Sequence, residues 1–283
     1  TGATPTDGQV VHAVANRDVL LGHLLTSSTL LAPVAIVVTA LPLIAATDWS
    51  FVGVASTLTA LAGAVQAPVR RVLTEWNFQI FMEPAGLRLR HGLVETRTQT
   101  VPPRRVQAVA VVRPLLWRWF GWYRVRVDIA GYSGMDSAVR GGTLLPIGDR
   151  ATATAVADEV IAEACGTPDR PAVIETLVLP RLPARARWLA PVTWPTTGFA
   201  VTDLVVAARS GRLTRHLVVT PLARVQSVRV VQGPLQRALR LASVHVDTAG
   251  AGLPVVGRHL DVTEAYAAAH TVAAAATAAR RRP

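Results

Sequence analysis

The chain has 283 residues and a formal net charge of +11, from 29 basic and 18 acidic side chains, and every basic residue is arginine. This charge favours anionic partners, which are nucleic acid, acidic protein or anionic lipid. The only cysteine, Cys165, excludes an internal disulfide. Since the sequence begins with Thr and shows no N-terminal signal peptide, we expect a processed protein or the tail of a longer one.

Two long uncharged runs follow an N-terminal lead-in at residues 1–18. Residues 24–46 and 50–69 contain no charged side chain. As a helix, each could cross a hydrocarbon core of about 30 Å. They predict a transmembrane hairpin over residues 19–71, with a buried helical hairpin as the alternative.

The charges flanking the predicted hairpin set its orientation. Arg17 precedes the first run, Arg70 and Arg71 follow the second, and the connecting loop holds only Asp48. The positive-inside rule then places both ends in the cytoplasm. The prediction is a multi-pass protein of the plasma membrane with everything after Arg71 cytoplasmic.

The rest of the chain repeats itself. Residues 91–131 match residues 210–250 at 15 of 41 positions without a gap. The shared positions include Arg-Val-Gln at 105–107 and again at 224–226. They predict two copies of one module, at 72–165 and 196–283. A proline-rich linker at 166–195 joins them.

Each copy has the pattern of short strands followed by one helix. Leu87 and Leu89 alternate with Arg88 and Arg90, which is typical of a half-buried strand. An alanine-rich stretch closes each copy, and Gly166 predicts the end of the first closing helix.

These motifs resemble those of a known family. Residues 98–107, 114–122 and 125–131 are similar to the bacterial pleckstrin-homology (PH) domains of YdbS/YdbT-type membrane proteins, and the second copy shows the same pattern more loosely. The resemblance implies a mainly β (α+β) chain in which two transmembrane helices precede two tandem PH-like modules. Each module is expected to be a bent antiparallel barrel of about seven strands capped by a C-terminal helix. The family supplies no catalytic residues and no cofactor.

A basic surface is the best candidate for binding. We predict that it involves Arg88, Arg90, Arg104, Arg105, Gln107, Arg113, Trp117, Arg118, Arg224 and Gln226. For the repeated Arg and Gln pairs, a structural role is favoured, because two residues of one strand face can hydrogen-bond to neighbouring backbone. Asp128 and Asp247 are expected to pair with those arginines or with nearby turns.

Other chemistries lack support in the sequence. The seven histidines show no metal-ligand spacing, and no phosphate-binding glycine loop is present. The aromatic residues at 117–123 form a cluster instead of a stacking stripe, which disfavours nucleic acid. We therefore expect no enzyme activity, no metal and no cofactor.

The sequence predicts a non-enzymatic, membrane-anchored scaffold. Its PH-like modules would bind membrane or membrane-associated proteins, or anionic lipid headgroups, in envelope maintenance or stress resistance. The alternative is an accessory subunit of a membrane transport or lipid-handling complex. The pattern leaves the oligomeric state open.

Overall fold

A computed structural model describes residues 9–26, 36–38, 51–83, 86–93, 96–131, 142–167, 169, 171–250 and 252–281. The chain forms two compact units. The first unit is Thr1–Thr100 with Leu116–Gly121, and the second is Val101–Leu115 with Trp122–Pro283.

The first unit combines helices with a four-stranded sheet of order β1-β2-β3-β4. Its elements are β1 (Gln9–Ala13), α1 (Asn16–Leu24), α2 (Phe51–Thr74), β2 (Gln79–Glu83), β3 (Gly86–His91), β4 (Arg97–Val101) and α3 (Trp117–Phe120). On β3, Leu87 and Leu89 are buried while Arg88 is half-buried and Arg90 exposed, which confirms the predicted alternation.

The second unit contains two sheets. Its elements are β5 (Val106–Pro114), β6 (Tyr123–Ile129), β7 (Thr143–Gly148), α4 (Arg150–Cys165), α5 (Val173–Thr176), β8 (Gly198–Val201), β9 (Val205–Ser210), β10 (Thr214–Pro221), β11 (Val225–Val231), α6 (Pro234–Ala238), β12 (Leu241–Thr248), β13 (Val255–Asp261) and α7 (Val262–Arg281). One sheet has the order β7-β6-β5-β10-β9-β8 and the other β11-β12-β13.

The repeat is visible as one order of elements used twice. Strands β2–β7 end in helix α4, and strands β8–β13 end in helix α7. In each copy a 3₁₀ turn precedes the fourth strand, at Pro103–Arg105 and Leu222–Arg224. A short helix follows that strand in each copy. The described residues show six strands per copy, where about seven were expected.

The two copies share a sheet. Strand β5 of the first copy pairs antiparallel with β10 of the second, from Thr214 opposite Pro114 to Val219 opposite Val109. Because side chains alternate across a strand, β5 serves two cores. Ala108, Ala110 and Val112 join the core of the second copy, while helix α4 of the first copy also packs on β5.

Residues at its two ends explain where helix α4 begins and ends. The Asp149 carboxylate accepts a hydrogen bond from the Thr152 N–H at 2.8 Å, as an N-cap does. Gly166 adopts a left-handed conformation with φ of 69° and ends the helix. The predicted stop at Gly166 is confirmed.

A buried tryptophan anchors helix α1 in the first unit. The Trp117 side chain is fully buried, and its Nε1 donates to the Gly22 carbonyl at 2.9 Å. Next to Gly22, His23 Nε2 lies 2.8 Å from Glu75 Oε2, just after helix α2. The Trp117 ring and the His23–Glu75 pair together fix the end of α1.

The predicted transmembrane hairpin is wrong. Among the described residues, no helix is long and apolar enough to span a bilayer. The first predicted span, residues 24–46, lies largely outside the described residues. The second falls on α2, which has 24 residues. Many of these are Ala, Gly, Ser and Thr, which gain far less from hydrocarbon than Leu, Ile, Val or Phe. The finding also contradicts the multi-pass plasma-membrane location.

Two tryptophans of α3 provide a direct test of this packing. Truncating Trp117 to Ala should lower the free energy of unfolding by about 3–5 kcal/mol, because it leaves a cavity and removes the bond to Gly22. Trp119 is 83% exposed, so Trp119→Ala should change the free energy of unfolding by less than about 0.5 kcal/mol. Urea unfolding of both variants measures the difference. Equal effects would contradict the placement of Trp117 in the core.

Candidate functional site

The predicted binding residues are divided between the two units. Arg88 and Arg90 lie on β3, and Trp117 and Arg118 on α3, all in the first unit. The second unit holds Arg104, Arg105, Gln107, Arg113, Arg224 and Gln226. Trp117 is buried in the first unit's core, so its indole has a packing role there.

The repeated Arg-Val-Gln motif forms the same backbone feature in both copies. The pairing register shifts at Gln107 in β5 and at Gln226 in β11, which marks a β-bulge after each 3₁₀ turn. The Gln107 amide donates to the Arg105 carbonyl at 3.2 Å. Arg224 donates to the Ala164 carbonyl near the end of α4, at 3.5 Å. These contacts support the structural reading of the motif.

The motif differs in exposure between the copies. Gln107 is buried, whereas Gln226 is exposed. Conversely, Arg105 is exposed beside Arg104, whereas Arg224 is half-buried. Of the arginines in the two 3₁₀ turns, those of the first turn are therefore better placed to meet a ligand from solvent.

The two repeated aspartates have different partners. Asp128 is 6% exposed, and its Oδ2 accepts from the N–H groups of Gly252 at 2.9 Å and Leu253 at 3.2 Å. Asp128 thereby holds a turn of the second copy. Asp247 accepts from Arg229 Nε at 2.8 Å and from Ser227 Oγ at 2.7 Å.

The charge-assisted bonds to Arg229 and Ser227 lower the pKa of Asp247. The predicted pairing with a turn is confirmed for Asp128. For Asp247 the prediction is wrong, because its partners are Arg229 and Ser227 of the neighbouring strand and not Arg105, Arg224 or a turn.

A row of arginines crosses the shared sheet. Arg215 on β10 lies directly opposite Arg113 on β5, so both side chains are on the same face. Arg209 on β9 is opposite Leu217, two residues beyond Arg215, and shares that face. We call Arg113, Arg209 and Arg215 the arginine row.

Two further contacts hold the arginine row in place. The Arg113 guanidinium lies 4.6 Å from the centre of the Tyr123 ring, a cation–π contact. Arg209 Nε donates to the Thr196 carbonyl at 3.1 Å.

Electrostatics make the arginine row receptive to an anion. Burial, together with the positive charge of Arg215, lowers the pKa of Arg209. Like charges directly opposite one another destabilise a sheet, and an anion among them removes that repulsion. Guanidinium groups bind phosphate and carboxylate oxygens through paired hydrogen bonds.

Sequence reasoning found Arg113 but missed Arg209 and Arg215. The signal was present in the dense basic segment around Gly211, which contains Arg209, Arg212 and Arg215. What gathers these side chains with Arg113 is the pairing of β10 with β5. No local pattern reveals that pairing.

A cluster of hydrogen-bonded polar side chains lies at the N-terminal end of α6. The Gly233 N–H donates to Gln236 Oε1 at 3.0 Å, which fixes the orientation of the amide. Gln236 Nε2 then donates to Ser243 Oγ at 2.9 Å and to His259 Nδ1 at 3.0 Å. His259 must be neutral at Nδ1 to accept this bond. Burial and the nearby Arg258 lower the pKa of His259, in agreement with this.

The part of the chain that the structure describes contains no candidate metal site. There, no group of three His, Cys, Asp or Glu side chains could hold a metal ion. Cys165 is half-buried, and burial raises the pKa of its thiol to about 11, so it is held as a neutral thiol.

The fold and the site define a tandem β-module protein whose two copies build one basic sheet face. The model of the family described as Bacterial PH domain matches residues 23–164 and, a second time, residues 172–276. The chain therefore belongs to the Bacterial PH domain family, and the predicted tandem repeat is confirmed. No curated protein matches the chain. The narrower YdbS/YdbT type stays a prediction.

The Asp128 contact predicts a coupled pair of substitutions. Asp128→Ala should lower the free energy of unfolding by about 2 kcal/mol, since hydrogen bonds to a charged group are lost. A Cβ at Gly250 would lie only 2.2 Å from Asp128 Oδ2, so Gly250→Ala should displace the carboxylate and cost a similar amount. In a double-mutant cycle by urea unfolding, the two effects should be clearly less than additive.

The matched control for this cycle is Gly63→Ala. A Cβ at Gly63 meets no atom within 4 Å, and alanine in helix α2 should stabilise by up to about 1 kcal/mol. Fully additive effects of Asp128→Ala and Gly250→Ala would show that the two residues are not coupled.

The neutral state of His259 predicts a pH dependence of stability. Because its pKa is lower in the folded chain than in the unfolded chain, the unfolded state takes up the proton first as pH falls. The free energy of unfolding should therefore decrease below about pH 6.5. His216 and His245 act in the same direction, since burial and a neighbouring arginine lower their pKa values too.

The variant His259→Asn isolates the contribution of His259. Asn tolerates the positive φ of 55° at this position and offers Gln236 an uncharged acceptor. The urea concentration at the midpoint of unfolding should differ less between about pH 7.5 and about pH 5.5 in this variant than in the parent protein. An unchanged difference would refute the role of His259.

Proposed function

We propose that this chain is a non-enzymatic interaction protein whose arginine row binds anionic lipid headgroups. The observation that carries the proposal is the position of Arg113 directly opposite Arg215 near one end of the β5–β10 pair, where Arg215 is exposed and Arg113 is half-buried. A headgroup phosphate among these guanidinium groups would replace repulsion by charge-assisted hydrogen bonds.

Two leucines beside the row support a lipid surface over a free anion. Leu115 follows Pro114 at the end of β5, and Leu213 precedes Thr214 at the start of β10. They are 41% and 61% exposed. Because Pro114 and Thr214 are cross-strand partners, both leucines lie at the same end of the β5–β10 pair. Apolar side chains next to arginines are typical of proteins that lie on anionic membranes.

A protein partner is the second candidate, and a different observation favours it. In the first unit, helix α3 exposes Trp119 by 83% and Phe120 by 52%. Exposed aromatic side chains are the residues that most often dominate binding energy at protein interfaces. Members of this family act generally as interaction modules for proteins or lipids, which fits both candidates.

We propose that the protein acts as a scaffold. Its proposed setting is envelope maintenance or stress resistance, and an accessory role in a transport or lipid-handling complex is the alternative. The resemblance to the wider family motivates both settings. The lipid proposal does not depend on either of them.

Vesicle flotation tests the lipid proposal. The full chain should float with vesicles of phosphatidylcholine containing phosphatidylglycerol, and much less with phosphatidylcholine alone or at high salt. The double variant Arg113→Ala with Arg215→Ala should bind about thirtyfold more weakly, at about 1 kcal/mol per arginine near an anionic surface.

The control variant removes the same charge elsewhere in the second unit. Arg150→Ala with Arg258→Ala alters two exposed arginines at the start of α4 and on β13. It should bind nearly as well as the parent. Equal loss in both double variants would show only a general effect of charge. No binding to the anionic vesicles at low salt would reject the lipid proposal and favour a protein partner, tested by crosslinking with Trp119→Ala as the comparison.

A further inference from the structure

The repeat leaves two complementary strand edges, one in each unit. Inside the chain, β5 of the first copy pairs with β10 of the second. The equivalent of β5 in the second copy is β11, and the equivalent of β10 in the first copy is β4. In the described part of the chain, β11 and β4 are each the last strand of a sheet.

Strand β11 has the sequence of an internal strand. Val228, Val230 and Val231 occupy the positions of Val109, Val111 and Val112 in β5. The β5 valines are all buried between two neighbouring strands. On β11, by contrast, Val228 and Val230 are half-buried and Val231 is 44% exposed. A long edge strand with exposed β-branched residues is a site where another strand can pair.

Strand β4 has a polar version of the sequence of β10. Thr98, Gln99 and Thr100 stand where β10 has Leu217, Val218 and Val219. Thr98 and Thr100 are exposed and Gln99 is half-buried. Threonine suits an extended strand, and its hydroxyl keeps an unpaired edge compatible with water.

We propose that a second copy of this chain pairs its β4 with β11, head to tail. The internal pairing gives the register, because Leu217, Val218 and Val219 face Val111, Ala110 and Val109. When each residue is replaced by its equivalent in the other copy of the repeat, Thr98 lies opposite Val230, Gln99 opposite Arg229 and Thr100 opposite Val228. Backbone hydrogen bonds along the added strand provide the affinity.

The pair two positions further along supports this junction. In the internal pairing, Arg215 is opposite Arg113, and the two positive charges repel. The equivalent positions in the junction are Thr96 and Gln232. The junction thus repeats the strand pairing without its main electrostatic cost, and it does not use the arginine row.

This association differs in kind from a symmetric dimer. Each copy uses two different edges, so every added copy leaves one edge of each type open. Such heterologous contacts build rings if the rotation closes and chains if it does not. The proposal is independent of the proposed lipid binding, since either could fail alone.

Cysteine crosslinking tests the pairing and its register. In a Cys165→Ala background, one sample of the full chain carries Gln99→Cys and another carries Arg229→Cys, which is an exposed position on β11. Under mild oxidation, an equal mixture should form a disulfide-linked dimer, while each variant alone should not. The matched control mixes Gln99→Cys with Arg258→Cys, an exposed position on β13, at the other side of the same sheet.

Sedimentation velocity gives a second readout that leaves β11 unchanged. Since Gln99 would face Arg229, Gln99→Glu should strengthen association and Gln99→Lys should weaken it, each by up to about fivefold. The parent chain should show species larger than a monomer whose fraction rises with concentration.

Three outcomes would overturn the proposal. They are a chain that stays monomeric at all concentrations, a Gln99→Cys and Arg229→Cys mixture that crosslinks no better than the control mixture, and single variants that crosslink as well as the mixture. The last result would mean that like edges meet. Unchanged vesicle flotation in the Gln99 variants would confirm that the two proposals fail or succeed separately.

Discussion

The pairing of β5 with β10 is the interaction on which the second unit depends. An internal strand must satisfy its backbone N–H and C=O groups on both sides, and β5 does so with β6 of its own copy and β10 of the other. That pairing sends Ala108, Ala110 and Val112 into the core of the second copy. The two repeats are therefore joined by one sheet as well as by the intervening residues. Within the second unit, the carboxylate of Asp128 adds a polar contact from the first copy to the turn at Gly252.

Sharing a sheet makes the two copies unequal although their sequences repeat. The same motif residue, Gln, is buried at 107 on the internal strand β5 and exposed at 226 on the edge strand β11. The repeated aspartates differ for another reason: Asp128 is buried under the turn of the other copy, whereas Asp247 is bound by Arg229 of its own copy. The place of a repeated side chain in the sheets, and not its residue type, decides whether it has a structural role or is exposed to solvent.

The sequence predicts what depends on local spacing and on repetition. The alternation at residues 87–90, the helix stop at Gly166 and the tandem copies all follow from periods and motifs that lie within a few residues of each other or recur at a fixed offset. The transmembrane prediction failed because it relied on the lack of charge, and α2 fills many positions with small residues that gain little from hydrocarbon. The β5–β10 pairing could not be read from the sequence at all, since an offset shows which residues are equivalent and not which strands are neighbours. For that reason Arg113 was found and its partners Arg209 and Arg215 were missed.

The arginine row exists only because the copies are fused. Arg113 belongs to the first copy and Arg209 and Arg215 to the second, so neither copy contains the facing pair by itself. The equivalents of Arg113 and Arg215 are Gln232 and Thr96, and neither of these side chains is charged. Packing alone would not place two guanidinium groups opposite each other, because this arrangement lowers stability. A sheet that tolerates it, with Tyr123 and the Thr196 carbonyl holding two of the three arginines, is an arrangement that the proposed anionic headgroup would stabilise. The proposed site thus needs both modules, because a single module separated from its neighbour would lose the facing arginine pair along with the strand that completes its sheet.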